Sequence, residues 1–347
     1  MSEKYDESFY SGKVILVTGG AGAIGGNLCR KLSMMNAARV IIFDNMSSAY
    51  DWNIPNNENI TFIKGDIRNE NDLLRAFSYR PEIIFHLAAF FANQNSVNYP
   101  LINEEVNGLG LIKVYEYAKL SGNVKRFVYT NSEGGAYGAS SRLPFREDDV
   151  SMELGSPYYI SKMCGEAYGK FYFYHFGLPV TTVRLFNNYG PGEVPGQYRN
   201  VIPNFIYWSL SGQPLPLTGN EKMARDFVYV DNTVDGILRA GFHESAIGGS
   251  YNIASGKVVP IHALAEIINQ KTGNTAGVRI MNFRKWDQRP FFSGDTTLSK
   301  EALGFNADYN FEKGIDNTIK WFRENWELIT ASAEFSPGQN PALDVKL

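Results

Sequence analysis

A strand-like run that breaks at once into glycines spaced three apart limits this chain more than any other feature. KVILV, residues 13–17, is apolar and β-branched, as suits a buried strand. Thr18-Gly19-Gly20-Ala21-Gly22-Ala23-Ile24-Gly25 follows, and then NLCRKLSMM, where Leu28, Leu32 and Met35 recur at helical spacing. Gly19, Gly22 and Gly25 allow a tight turn, a close backbone approach to a pyrophosphate, and packing of helix on strand. The helix that starts there points its free N–H groups at the phosphates. This arrangement belongs to a dinucleotide site on a Rossmann-type sheet.

The next acid fits the same reading. Asp44 closes RVIIFD, about twenty residues past the loop, where a carboxylate meets the adenosine ribose hydroxyls. Its charge repels a 2′-phosphate, and no Arg or Lys follows in DNMSSAYDW, so NAD is expected rather than NADP. NITFIKGD, ending in Asp66, EIIFHLAA at 82–89 and KRFVYTNS at 125–132 are further strand candidates, with a helical stretch at 107–120 between them. Alternating strands and helices predict an α/β fold with a doubly wound parallel sheet. Farther along, SPYYISKMCGE places Tyr158 and Lys162 one helical turn apart on a single face. An ammonium beside a phenol favours the phenolate, which makes Tyr158 the expected proton acceptor for a hydroxyl.

Composition narrows the partners. The net charge of −3 and the lack of a long basic run argue against nucleic acid and anionic membranes. No apolar stretch reaches the length of a membrane span, and MSEKYDESFYSGK is too polar for a signal peptide. Cys29 and Cys164 are expected as buried helical thiols in a reducing cytoplasm. The four histidines show no metal-ligand spacing, and His86 is expected as a packed strand residue. Four stretches are expected: a tail at 1–12, the dinucleotide domain at 13–185, a smaller substrate lobe at 186–328 that partly returns to the main sheet, and a loosely ordered tail at 329–347. The cleft between the lobes is the expected active site.

With these motifs in place, the chain resembles the extended short-chain dehydrogenase/reductases that act on nucleotide sugars, such as UDP-galactose 4-epimerase, dTDP-glucose 4,6-dehydratase and UDP-glucuronate decarboxylase. TGGAGAIG, FDNMSS, GDIRN, HLAA, the YxxxK pair, RLFNNYGPG, RDFVYVDN and LSKEALGF carry the likeness, which runs over residues 13–326. The resemblance implies that Lys162 bridges the nicotinamide ribose and tunes Tyr158, while Ser132 steadies the reacting sugar hydroxyl. Asn187 and Asn200, with Val201 beside it, would line the diphosphate end. Arg225 and Arg289 would hold phosphate and ribose oxygens, a task that suits the planar guanidinium fork. Cofactor contacts are expected from Gly19, Gly22, Ala23, Ile24, Gly25, Asp44, Asn45, Asp66, Ile67, Leu87, Ala88, Ala89, Asn107, Thr130, Tyr158, Lys162 and Leu185. The helices at 106–120 and 158–176 would form a homodimer interface.

Two departures from the family pattern matter. Dehydratases carry an Asp-Glu pair after the catalytic Thr, and here Glu133 and Gly134 follow Ser132, so one carboxylate is missing. FFANQNSVNYP after HLAA is rich in aromatics and amides and is expected to line the sugar pocket or to pack as an ordinary loop. The expected activity is NAD-dependent epimerisation of a nucleotide sugar through transient oxidation, at C4, with Tyr158 as base and Glu133 as a further catalytic group. A 4,6-dehydratase, a net 4-dehydrogenase or ketoreductase, and a catalytically silent NAD-binding regulator are the alternatives.

Overall fold

The structure is a computed structural model that describes residues 6–218, 223–282 and 291–335. In the first half the strands are β1 Val14–Thr18, β2 Arg39–Asp44, β3 Ile60–Lys64, β4 Ile83–His86, β5 Arg126–Ser132 and β6 Val180–Leu185. The second half adds β7 Asn187–Tyr189, β8 Leu215–Thr218, β9 Ala224–Tyr229, β10 Ser250–Ile253, β11 Val258–Pro260 and β12 Val278–Met281. Seven of these form one sheet in the order β10-β6-β5-β4-β1-β2-β3, with every pairing parallel. The strands read as nearly continuous apolar runs because helices cover both faces. Strand order reverses between β1 and β4, and loops leaving the carboxyl ends of neighbouring strands diverge there to open a crevice.

The helices that matter for the site are α1 Ala23–Met34, α2 Glu70–Phe77, α3 Asn93–Asn98, α4 Pro100–Glu104, α5 Leu111–Ser121, α6 Glu133–Tyr137, α7 Pro157–Phe176, α8 Val201–Leu210 and α9 Val230–Phe242. One face of the sheet buries Leu28 and Leu32 of α1 with Ile237 and Leu238 of α9. The other buries Leu73 of α2, Val114 and Tyr115 of α5, and Tyr172 of α7. Beyond β6 the chain builds the small sheets β11-β9-β7 and β12-β8, while β10 returns to the edge of the main sheet.

Residues near both limits of the described chain are packed against the fold. Tyr10 is fully buried and donates from its hydroxyl to Leu238 O at 2.5 Å. At the other end α10 Ile261–Thr272, α11 Thr297–Leu303 and α12 Phe311–Glu324 lead into α13 Trp326–Ser332, which buries Ile329. Phe335 stacks on Trp208 with ring centres 5.6 Å apart. Ile329 and Phe335 thus anchor residues 329–335 by apolar packing. Cys29 is buried as expected, whereas Cys164 is exposed, because its place on α7 faces away from the sheet.

Candidate active site

Gly19 leaves β1 with φ of +70°, and a Cβ there would stand 2.6 Å from Ala88 N. Only glycine lets the loops after β1 and β4 approach this closely. A Cβ on Gly25 would sit 2.8 Å from Gly20 Cα, so the start of α1 also lies against the loop. Gly22 N-caps α1 with no side-chain hydrogen bond, which leaves the first N–H groups of a twelve-residue helix to an anion. Asp44 ends β2, its two oxygens accepting from Ala21 N at 3.0 Å and Met46 N at 2.9 Å. Burial raises its pKa, against the lowering effect of those two bonds. Burial also works on Asp66, yet hydrogen bonds from Arg68 and Asn45 hold it at about 2. A bare glycine floor, an open helix end and a fixed carboxylate together fit the pyrophosphate and ribose of a dinucleotide.

These parts line one cavity of about 1500 Å³. Gly19, Gly22, Ala23, Ile24, Gly25, Asp44, Asn45, Asp66, Ile67, Leu87, Ala88, Ala89, Thr130 and Leu185 all reach it. Asn107 does not. It is buried behind the loop after β4, where its Oδ1 accepts from Phe90 N at 2.8 Å and its Nδ2 donates to Phe90 O at 3.0 Å. Asn107 therefore supports the cleft wall from behind rather than forming its surface.

Ser132, Glu133, Tyr158 and Lys162 converge in the same cavity. Ser132 ends β5 and caps α6, accepting from Gly135 N at 3.2 Å, and its hydroxyl also bonds the Tyr158 phenol. Lys162 donates to Thr130 O at 2.6 Å, with its nitrogen 6.0 Å from the Tyr158 ring centre. The expected depression of the Tyr158 pKa is absent in this arrangement. Burial and the charge of Glu133 raise it, outweighing the Ser132 bond, while burial alone brings Lys162 down to about 7. His86, bonded to Thr18 Oγ1 at 2.8 Å, is held neutral by burial and the nearby Lys162 charge, with a pKa of about 3. Glu133 is pushed up to about 7 by burial, against the lowering influence of Arg225, and accepts from Asn187 Nδ2 at 3.4 Å. An acid that titrates near neutrality beside a phenol and a serine is suited to proton transfer.

A buried network beneath the cavity passed unnoticed in the sequence. Asn131 Oδ1 accepts from Ser132 N at 2.7 Å, and its Nδ2 donates to Glu166 Oε2 at 2.6 Å. Glu166 takes two bonds from Arg184, at 2.6 and 3.1 Å, with both side chains almost wholly buried. Glu166 lies one further turn along the Tyr158–Lys162 face, and that spacing was the available signal.

On the substrate side, Asn187, Asn200, Val201 and Arg225 reach the cavity. Asn200 donates to Glu193 at 3.1 Å, and the Arg225 guanidinium lies 5.0 Å from the Phe292 ring centre. Arg289 lies outside the described residues. FFANQNSVNYP is no plain loop, since its middle forms α3, yet Phe90, Phe91, Asn93 and Gln94 do line the cavity. Glu334 and Phe335 also line it, with Glu334 accepting from Gln197 N at 2.7 Å, a contribution the presumed tail concealed. Among the described residues there is no cluster able to hold a metal ion and no helix long and apolar enough to cross a membrane.

The fold is of the dinucleotide-binding kind, and Ser132, Tyr158 and Lys162 line its cavity together. Its family follows from comparison with known proteins: the model of the NAD dependent epimerase/dehydratase family matches residues 15–254, and the chain belongs to that family. It is similar to an epimerase from Methanothermobacter thermautotrophicus, with 47% identity, a TM-score of 0.93, and coverage of 95% of this chain and 97% of that one. It is 31% identical to the UDP-glucose 4-epimerase of Mycolicibacterium smegmatis over 89% of this chain and 98% of that protein. A dTDP-glucose 4,6-dehydratase from Streptomyces venezuelae, solved with NAD, is 29% identical with a TM-score of 0.84, covering 91% of this chain and 98% of that one. The family is NAD-dependent, and its members here include both 4-epimerases and 4,6-dehydratases.

Proposed function

We propose that this chain is a nucleotide-sugar 4-epimerase. The observation that carries the reading is the pairing of Ser132, Tyr158 and Lys162 with a single carboxylate directly after Ser132, Glu133, followed by Gly134, which has no side chain with which to transfer a second proton. NAD held in this cavity would supply a reversible hydride acceptor for the sugar carbon. Gly19, Gly22, Gly25 and the start of α1 would hold its pyrophosphate, Asp44 its adenosine ribose, and Lys162 its nicotinamide ribose. Ser132 would hydrogen-bond the sugar hydroxyl, and Tyr158, as the phenolate, would take its proton to become a phenol and later give it back. Burial and Glu133 raise the Tyr158 pKa and so disfavour the phenolate that this step requires, which a positive charge on Lys162 would favour. Arg225, Asn187 and Asn200 would fix the diphosphate, so that the sugar alone turns over before the proton returns.

A homodimer is part of this reading. Ile160, Tyr168 and Phe171 of α7 are exposed apolar groups at helical spacing, as are Leu109 and Leu120 along the neighbouring helical stretch. A second copy of the chain would cover them.

The test is to incubate the protein with uridine, thymidine, guanosine and cytidine diphosphate sugars and follow products by NMR. An isomer of one substrate, and a turnover about 10²–10⁴-fold lower in Tyr158→Phe, is expected. Near-normal turnover in that variant would move the base elsewhere.

A further inference from the structure

Position 134 is not simply vacant of a side chain. A methyl group built on Gly134 would stand 2.5 Å from the Tyr159 hydroxyl oxygen and closer still to its ring carbons. The Tyr159 ring therefore lies flush on the backbone immediately after Glu133, in the space a longer residue at 134 would need. Tyr159 and Asn93 both line the cavity beside Ser132, Glu133 and Tyr158, and the rings of Tyr158 and Tyr159 have centres 6.1 Å apart. That separation is about the width of one sugar ring. A group held by Tyr158 at one carbon thus brings neighbouring substituents within reach of Tyr159.

The phenol is also held in a fixed pose. Tyr159 N donates to Ser156 Oγ at 3.2 Å, Ser156 Oγ donates to Asn93 Oδ1 at 2.9 Å, and Asn93 Nδ2 donates to the Tyr159 hydroxyl at 2.7 Å. This circuit assigns the Asn93 amide its orientation. It also ties α3 to the first turn of α7, where Tyr158 N donates to Ser96 Oγ at 3.1 Å. A polar group so prepared before binding discriminates better than a mobile one, because less ordering is left to be done.

We propose that Tyr159, oriented by Asn93 and Ser156, is a specificity-determining residue that hydrogen-bonds an uncharged oxygen of the sugar, a hydroxyl or an amide carbonyl, close to the reacting carbon. An uncharged group is assigned because Glu133, which ionises near neutrality, adjoins the same spot. The assignment rests on the nucleotide-sugar reading of the cavity, and it deepens that reading by naming which wall selects the sugar.

The test separates sugar from nucleotide and needs no turnover. Affinities of the NAD-loaded protein are measured for uridine, thymidine, guanosine and cytidine diphosphates and for their glucose or N-acetylglucosamine conjugates, and the tightest pair is carried forward. Tyr159→Phe keeps the ring against Gly134 and removes only the hydroxyl. It should weaken the diphosphate sugar about three- to tenfold, the worth of one uncharged hydrogen bond, and leave the bare diphosphate unaffected. Asn93→Ala, which frees the phenol, should move affinity in the same direction by less. Equal loss on sugar and bare diphosphate, or no loss on either, would overturn the proposal. Failure of the epimerase reading looks different: wild type would bind the sugar with Tyr159 in play yet form no isomer.

Discussion

At the residue scale, the cavity depends on what burial does to three ionisable groups. Glu133 has a pKa of about 7 against the ordinary 4.5 of a glutamate, so the folded state holds its proton more tightly than the unfolded chain. The stability this supplies is complete below about pH 4.5 and is lost as pH rises through about 7. Glu133→Gln has no such titration. The stability of the variant relative to wild type should therefore climb between pH 4.5 and 7 and level off above, read from denaturant midpoints across that window. A difference that stays flat would mean that Glu133 is not held in the dry setting described. Tyr158 and Lys162 were legible in the sequence because one helical turn fixes their common face. The partner of Lys162 was not, since a backbone carbonyl such as that of Thr130 has no signature in the residue types. The role of Gly134 was half legible: the missing carboxylate was evident, but the Tyr159 ring that fills its space comes from a helix more than twenty residues away.

At the element scale, the end of β5 and the two helices that meet there carry the chemistry. Ser132 finishes the strand, caps α6 and bonds Tyr158 on α7, so three elements share one hydroxyl. Asn131, Glu166 and Arg184 hold that junction from below. Removing one member of a buried pair leaves the other charge uncompensated. Glu166→Ala should thus cost about 3–5 kcal/mol of stability in denaturant unfolding. A loss under about 1 kcal/mol, the range of an exposed pair, would contradict the burial described. The sheet strands were readable because burial on both faces leaves unbroken apolar runs such as VILVT and RVIIFD. The short helices were not. α6 spans five residues with two glycines, and α3 is built from NQNSVN, so neither has the apolar periodicity that marks a helix. A local cap from Ser132 holds the first, and docking of Ser96 on the start of α7 holds the second.

At the scale of the whole molecule, elements from both halves of the chain border one cavity, and residues near both limits of the described chain pack against it or its supports. Tyr10 wedges between the sheet and α9, while Phe335 and Glu334 reach the substrate side of the cavity. Long-range packing of this kind has no local pattern, which is why the sequence suggested tails. The exposed apolar groups of α7, with Leu109 and Leu120 on the neighbouring stretch, belong to this scale too. The protein is expected to sediment at twice the chain mass, and Phe171→Glu, which puts a charge into the apolar face, should shift it to the monomer. A monomeric wild type would contradict the dimer. The central claim is that hydride leaves and returns to one carbon with nothing lost from the sugar. The most direct measurement uses the best nucleotide sugar deuterated at C4, with mass spectrometry and NMR of the product. The account predicts an isomer of unchanged mass that keeps its deuterium at C4. A product lighter by one water, or one that has lost the label, would contradict it.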